Sequence, residues 1–160
     1  MTILGIDPGL ERVGYAFIRR EGSRLSPIDY GLIETPRIEL ATRLNLIHEQ
    51  ISKLIEEHRP DTAAIERVLF AVNKTTAMDV AKASGVLILA CRQARVPIVE
   101  ITPPEVKLGV VGNGAAEKKQ VQFMVSKLLG LAAVPKPDDV ADACAVAIAQ
   151  SLRLPMLATL

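Results

Sequence analysis

Four carboxylates stand where a carboxylate needs a reason. Asp7 closes the apolar run "TILGID" and opens a Pro-Gly turn, and Glu66 closes a second apolar run, "TAAIE". Asp139 and Asp142 lie three residues apart near the start of "DVADACAVAIA", a segment apolar on nearly every side of a helix. Taken singly, Asp7, Glu66 and Asp139 each have a plain structural explanation. Asp followed by Pro suits a type I turn, a strand-end Glu is usually solvated, and acids in a first helical turn oppose the helix dipole. That last explanation covers Asp138 and Asp139, but Asp142 sits one turn further in, where an unpaired charge is expensive. Asp139 and Asp142 share one helix face. If the strand-end acids meet them at one sheet edge, the cluster repels itself and raises its own pKa values. Divalent cations with oxygen ligands remove that difficulty, and two ions roughly 4 Å apart form a clamp for phosphodiester hydrolysis.

Other chemistries find little support. There is no Gly-x-x-x-x-Gly-Lys-Ser/Thr phosphate loop and no Ser-His-Asp grouping. His48 and His58 fall in one amphipathic stretch and read as surface or boundary residues. Cys91 and Cys144 lie far apart inside apolar segments without metal-ligand spacing, as reduced core residues of an intracellular protein do. An ATP-using phosphotransferase could also open on Asp-x-Gly, but it needs a second similar half. A chain of 160 residues is expected to form one domain spanning 1–160, with an uninformative tail at 154–160. No leader or long apolar span is evident, which suggests a cytoplasmic protein.

The elements that must position the acids follow from periodicity. "TILGID", "GYAFIRR" and "SPIDYGLIET" read as a meander of three strands. Leu40, Leu44, Ile47, Ile51, Leu54 and Ile55 mark a helix that ends at Arg59-Pro60. "TAAIERV" and "PIVEI" are further strands, separated by a helix over Thr75–Arg95 whose later half is apolar all round. "PPEVKLGVVGNGAAEKK" reads as an irregular Gly-rich piece, followed by helices over about 116–129 and from about 139 onward. The fold class is therefore α/β, a five-stranded mixed sheet flanked by helices.

Net charge is only +1, but residues 104–136 hold five lysines and two glutamates, a local balance of +3. Gly112 and Gly114 precede the expected helix start, where backbone N–H groups favour phosphate. A basic segment beside an acidic metal site suits a nuclease, with one part gripping phosphates and the other cutting.

The combination "GIDPG…GYA", "AIE", "VKLGVVGNGAAEKKQVQFMV" and "DVADACAVAIA" resembles the RuvC-type Holliday junction resolvases from Ile3 to about Ala149. The resemblance implies a ribonuclease H-like sheet of three antiparallel and two parallel strands. It implies a homodimer that nicks two symmetric strands of a four-way DNA junction, leaving 5′-phosphate and 3′-hydroxyl ends, in company with the branch-migration proteins RuvA and RuvB. Asp7, Glu66, Asp139 and Asp142 map onto the metal-binding carboxylates, with Mg2+ expected as two ions and Mn2+ as a substitute. The adjacent Asp138 is the alternative to Asp139. Lys107 and Lys118 match the family's basic positions, and Lys119 stands beside Lys118. Where the family often has a base-stacking aromatic, this chain has Leu69 followed by Phe70, so either Phe70 stacks or Leu69 acts as an apolar wedge. The alternative activity is a nuclease of the same fold acting on RNA or other branched nucleic acid. The Thr75–Arg95 helix, with more apolar surface than one small sheet can cover, is the expected dimer contact.

Overall fold

The structure, a computed structural model, describes residues 1–69 and 74–155, side chains 74–76 excepted. The chain runs β1 (Thr2–Asp7), β2 (Arg12–Glu21), β3 (Arg24–Glu34), α1 (Leu40–His58), β4 (Thr62–Glu66), α2 (Lys74–Gln93), β5 (Ile98–Ile101), α3 (Pro103–Val111), α4 (Lys118–Leu128) and α5 (Asp138–Arg153). The five strands form one sheet in the order β3-β2-β1-β4-β5. The first three strands are antiparallel neighbours, and β4 and β5 are parallel additions reached through helices.

Side-chain alternation divides the core into two layers, because successive strand residues face opposite sides of a sheet. Leu4, Ile6, Phe17, Ala63 and Ile65 face α1 and α2, and meet Ile47, Ile51, Ile55, Leu87 and Cys91. Ile3, Ala16, Ile18 and Ala64 face the opposite way, onto α5, with α3 and α4 packed beyond. The helix α5 is buried from Val140 through Ser151, apart from Asp142. This is why its sequence is apolar all round. Cys91 and Cys144 are unpaired and buried, one in each layer, and burial pushes both thiols up to about 12.

Two glycines let α5 lie directly on the sheet. A Cβ at Gly5 would overlap the Ala143 carbonyl and the Ala147 amide, and one at Gly14 would overlap the Asp139 carbonyl. Gly14 is the register partner of Asp7. The contact that excludes a side chain at Gly14 thus also brings the start of α5 against the end of β1.

One expected element is corrected. The segment after β5 is not irregular, since Pro103–Val111 forms the helix α3. Its two prolines occupy the first turn, where the missing N–H groups are not needed. The Glu105 carboxylate accepts from the Thr102 amide at 2.8 Å and from its hydroxyl at 2.6 Å. Gly109 inside the helix permits close approach to Ala149 of α5. Gly112, at φ +79°, caps the C-terminus of α3 rather than preparing the next helix. The N-terminus of α4 belongs instead to Glu117, whose amide donates to Gln120 Oε1 at 2.8 Å. Contrary to expectation, the Gly112 amide is not open to phosphate, since it donates to the Leu108 carbonyl at 2.8 Å.

Candidate active site

Parity aims the two strand-end acids. Asp7 shares the sheet face of Ile3 and Gly5, and Glu66 shares that of Ala64, so both face α5. In the parallel β1–β4 ladder Ile6 pairs with Ile65, which makes Asp7 and Glu66 neighbours at the same end of the sheet. Asp139 and Asp142 come from the first turns of α5, which is anchored over that end through Gly14. Segments from the beginning, middle and end of the chain thus direct four carboxyl groups toward the same end of the sheet.

Their electrostatics show how tightly they interact. Burial, followed by the charges of Glu66, Asp142 and Asp139, pushes the Asp7 carboxyl up to about 8. Burial and the Asp142 charge push Glu66 up to about 6. Asp142 is also raised, chiefly by burial, and is opposed by its hydrogen bond from Lys118 at 3.0 Å. That lysine explains how an acid is tolerated on a buried helix. Its ammonium bridges Asp142 and Asp138, the latter at 3.3 Å. Partial burial works against the charged form of Lys118, but the two carboxylates hold it above its ordinary value. Asp139 has a different partner, Arg12 Nε at 3.5 Å.

Among the described residues, no three Asp, Glu, His or Cys side chains are already gathered as ligands of a single ion. The acids share one electrostatic neighbourhood, with Lys118 and Arg12 paired to two of them. The donor set nevertheless fits a hard divalent cation. All donors are carboxylate oxygens, and a doubly charged ion would relieve the repulsion that raises Asp7.

The remaining expected residues are distributed as follows. Lys107 and Lys118 line a hollow of about 210 Å³ with Glu66, Asp142 and Val121. Leu69 is half exposed and lines an adjoining hollow with Asp7, Glu66 and Arg67. Lys119 is exposed, and among the described residues no ion pair joins it to the acids. Phe70 lies outside the described residues. Asp138 does not cap α5 but holds Lys118 and accepts from Gln122 Nε2 at 3.2 Å. His48 pairs with Gln93 at 2.8 Å and His58 with Asp29 at 3.1 Å, both away from the acids. Sequence reasoning missed Arg12. The signal was present, since Arg12 shares strand parity with Gly14 and therefore faces α5.

A five-stranded mixed sheet carrying converging carboxylates at one end, with a long helix across it, is the arrangement of nucleases with the ribonuclease H-like fold. Residues 3–150 match the family described as crossover junction endodeoxyribonuclease RuvC. The chain is 50% identical over 149 residues to the protein of that name from Halothermothrix orenii, covering 92% of this chain and 90% of the relative. It is 51% identical over 150 residues to the one from Alkaliphilus oremlandii, covering 92% and 91%. Thermus thermophilus RuvC in complex with a Holliday junction substrate superposes with a TM-score of 0.91 at 30% identity, covering 96% of this chain and 94% of that one. The chain belongs to the RuvC family.

Proposed function

We infer that this chain is a metal-dependent endodeoxyribonuclease that resolves four-way DNA junctions by nicking two symmetric strands. One observation carries the reading: carboxylates from β1, β4 and α5 meet at one end of the sheet, with Lys118 and Lys107 beside them. Family membership supplies the substrate class.

Asp7, Glu66, Asp139 and Asp142 are the residues that would hold the divalent cation, for which Mg2+ is proposed and Mn2+ is a substitute of similar ligand preference. When bound, such ions activate water and stabilise the leaving oxygen in an in-line displacement. The protein's own groups do the rest. Lys118, kept cationic by Asp142 and Asp138, lines the same hollow as Glu66 and Asp142 and would stabilise charge developing on a phosphate held there. Lys107, in the same hollow, grips the adjoining backbone. Lys119, exposed at the start of α4, is proposed to contact the backbone beside Lys118. Leu69 presents an apolar edge beside Asp7 and Glu66, suited to wedge against an unstacked base, and Phe70 is proposed to share that task.

Two active sites are needed for two nicks, so a homodimer is part of the proposal. On α2, Met78 and Leu89 are more than half exposed, and Gly85 between them has open space above it. This face suits a second copy. RuvA and RuvB are the partners proposed from family membership, the whole chain is taken to act as one nuclease domain, and the site of action is the cytoplasm. Among the described residues no helix is long and apolar enough to cross a membrane.

Incubating the protein and magnesium with a mobile four-way junction, a linear duplex and an RNA–DNA hybrid tests the reading. Paired nicks with 5′-phosphate ends, seen only with the junction, support it. Preferential cutting of the hybrid would favour an RNA-directed nuclease instead.

A further inference from the structure

Arg12 and Arg43 lie outside the residues assigned above, yet they line a hollow that opens beside the acids. Its volume is about 340 Å³, and Arg12, Arg43 and Gly9 line it together with the acids Glu11, Asp79 and Asp139. Asp139 places it against the acidic cluster, and Gly9 belongs to the same turn as Asp7. Three hollows therefore follow one another along the acid-bearing end of the sheet. The first holds Lys107 and Lys118, the second holds Asp7 and Leu69, and the third holds Arg12 and Arg43. Glu66 and Pro103 border both the first and the second, and Val80 borders both the second and the third. Asp7 and Glu66 line the middle hollow with Arg67, Asp142 lines the first and Asp139 the third, so the acids run between Lys107 and Lys118 at one end and Arg12 and Arg43 at the other.

The acids lining the third hollow are largely committed elsewhere. Glu11 pairs with Arg37 at 3.4 Å and Asp79 with Lys82 at 2.9 Å. Arg43 is fixed by its Nε donating to the Thr35 hydroxyl at 2.9 Å, and among the described residues no carboxylate lies within ion-pair distance of its guanidinium. A guanidinium held through its Nε–H alone, with its terminal fork still available, is suited to a phosphate. Arg12 keeps about half its side chain exposed while contacting Asp139 from the side of the hollow.

We propose that Arg12 and Arg43 form a second phosphate grip, which takes the DNA backbone flanking the scissile linkage on the side opposite Lys107 and Lys118. The inference rests on the junction-nuclease reading and adds a path to it. The strand crosses all three hollows, held at both ends, with the acids beneath its centre. Two-ended clamping fixes the orientation of the central linkage better than cations on one side alone.

The test is fluorescence anisotropy of a labelled four-way junction, with EDTA blocking cleavage, repeated over a series of NaCl concentrations. Arg43→Gln, Arg12→Gln and Arg43→Lys are compared with wild type. Lys53→Gln, on the exposed side of α1, serves as a control of equal charge loss. Each lost phosphate contact lowers the slope of log affinity against log salt by about 0.9. Arg43→Gln and Arg12→Gln should each show that loss together with several-fold weaker binding, and Arg43→Lys should keep most of the slope. Lys53→Gln should match wild type. If Arg43→Gln unfolds, which its thermal melt would reveal, Arg12→Gln decides alone. Wild-type slope and affinity in the folded Gln variants would overturn the proposal, as would an equal loss in Lys53→Gln. Failure of wild type to bind the junction at all would instead overturn the underlying reading.

Discussion

Replacing Asp7 by Asn should stabilise the protein in the absence of metal. The Asp7 carboxyl moves from 3.8 to about 8, driven first by burial and then by Glu66, Asp142 and Asp139. At about 1.4 kcal/mol per tenfold change, that is a penalty of about 5–6 kcal/mol on the ionised form once the pH exceeds 8. Between pH 3.8 and about 8 the folded chain binds more protons at this position than the unfolded chain. Stability therefore falls as pH rises through that window and is fully present below it. Asn removes the charge but keeps a polar group to desolvate, and Lys118 loses a nearby anion, so about half the penalty, roughly 2–3 kcal/mol at pH 8, should be recovered. For a chain of this size the melting temperature should rise by roughly 5–10 °C. The assay is thermal and urea unfolding of wild type and Asp7→Asn in EDTA from pH 5 to pH 8.5. The advantage of the variant should shrink several-fold towards pH 5, where wild-type Asp7 is neutral in the folded state. Adding magnesium should stabilise wild type and leave the variant nearly unmoved. An Asp7→Asn protein no more stable than wild type at pH 8, or an advantage that grows on acidification, would refute the reasoning.

Other substitutions test the supporting structure. Gly14→Ala drives a methyl into the Asp139 carbonyl and should cost about 1–3 kcal/mol in urea unfolding, with loss of cleavage from displacing α5. Arg20→Met removes the guanidinium that donates to the carbonyls of Ser151 and Leu154 at the end of α5, and should lower stability by about 1–2 kcal/mol while leaving the single-turnover cleavage rate unchanged. Lys118→Met should slow single-turnover cleavage by about 100-fold and weaken junction binding much less, because the ammonium acts mainly on charge developing during reaction.

Much of the fold was legible because strand parity and helix periodicity speak directly about burial. The runs ending in Asp7 and Glu66 show where acids interrupt apolar strands, and the apolar stretch after Asp142 shows that α5 must be enclosed. The helix α3 was hidden by its composition. Two prolines, Gly109 and Gly112 resemble a loop until the prolines are placed in a first turn, Gly109 against Ala149, and Gly112 at the C-cap. The partners of the acids were hidden for another reason. Lys118 reaches Asp142 across 24 positions, and Arg12 reaches Asp139 of α5 from β2. Strand parity tells which face Arg12 takes, but which acid it meets, like the reach of Lys118, depends on how the layers are packed. The same holds for Arg43, whose place beside the site follows from the docking of α1 near the turn after β1.

The most direct measurement is the single-turnover rate of nicking a synthetic four-way junction by wild type, Asp7→Asn, Glu66→Gln, Asp139→Asn and Asp142→Asn, with junction affinity measured alongside. The account predicts paired nicks by wild type and cleavage reduced to background in each of the four variants, while binding persists. A variant that binds and still cuts at the wild-type rate would contradict it, because its carboxylate would then stand outside the centre where the ends of β1, β4 and α5 converge.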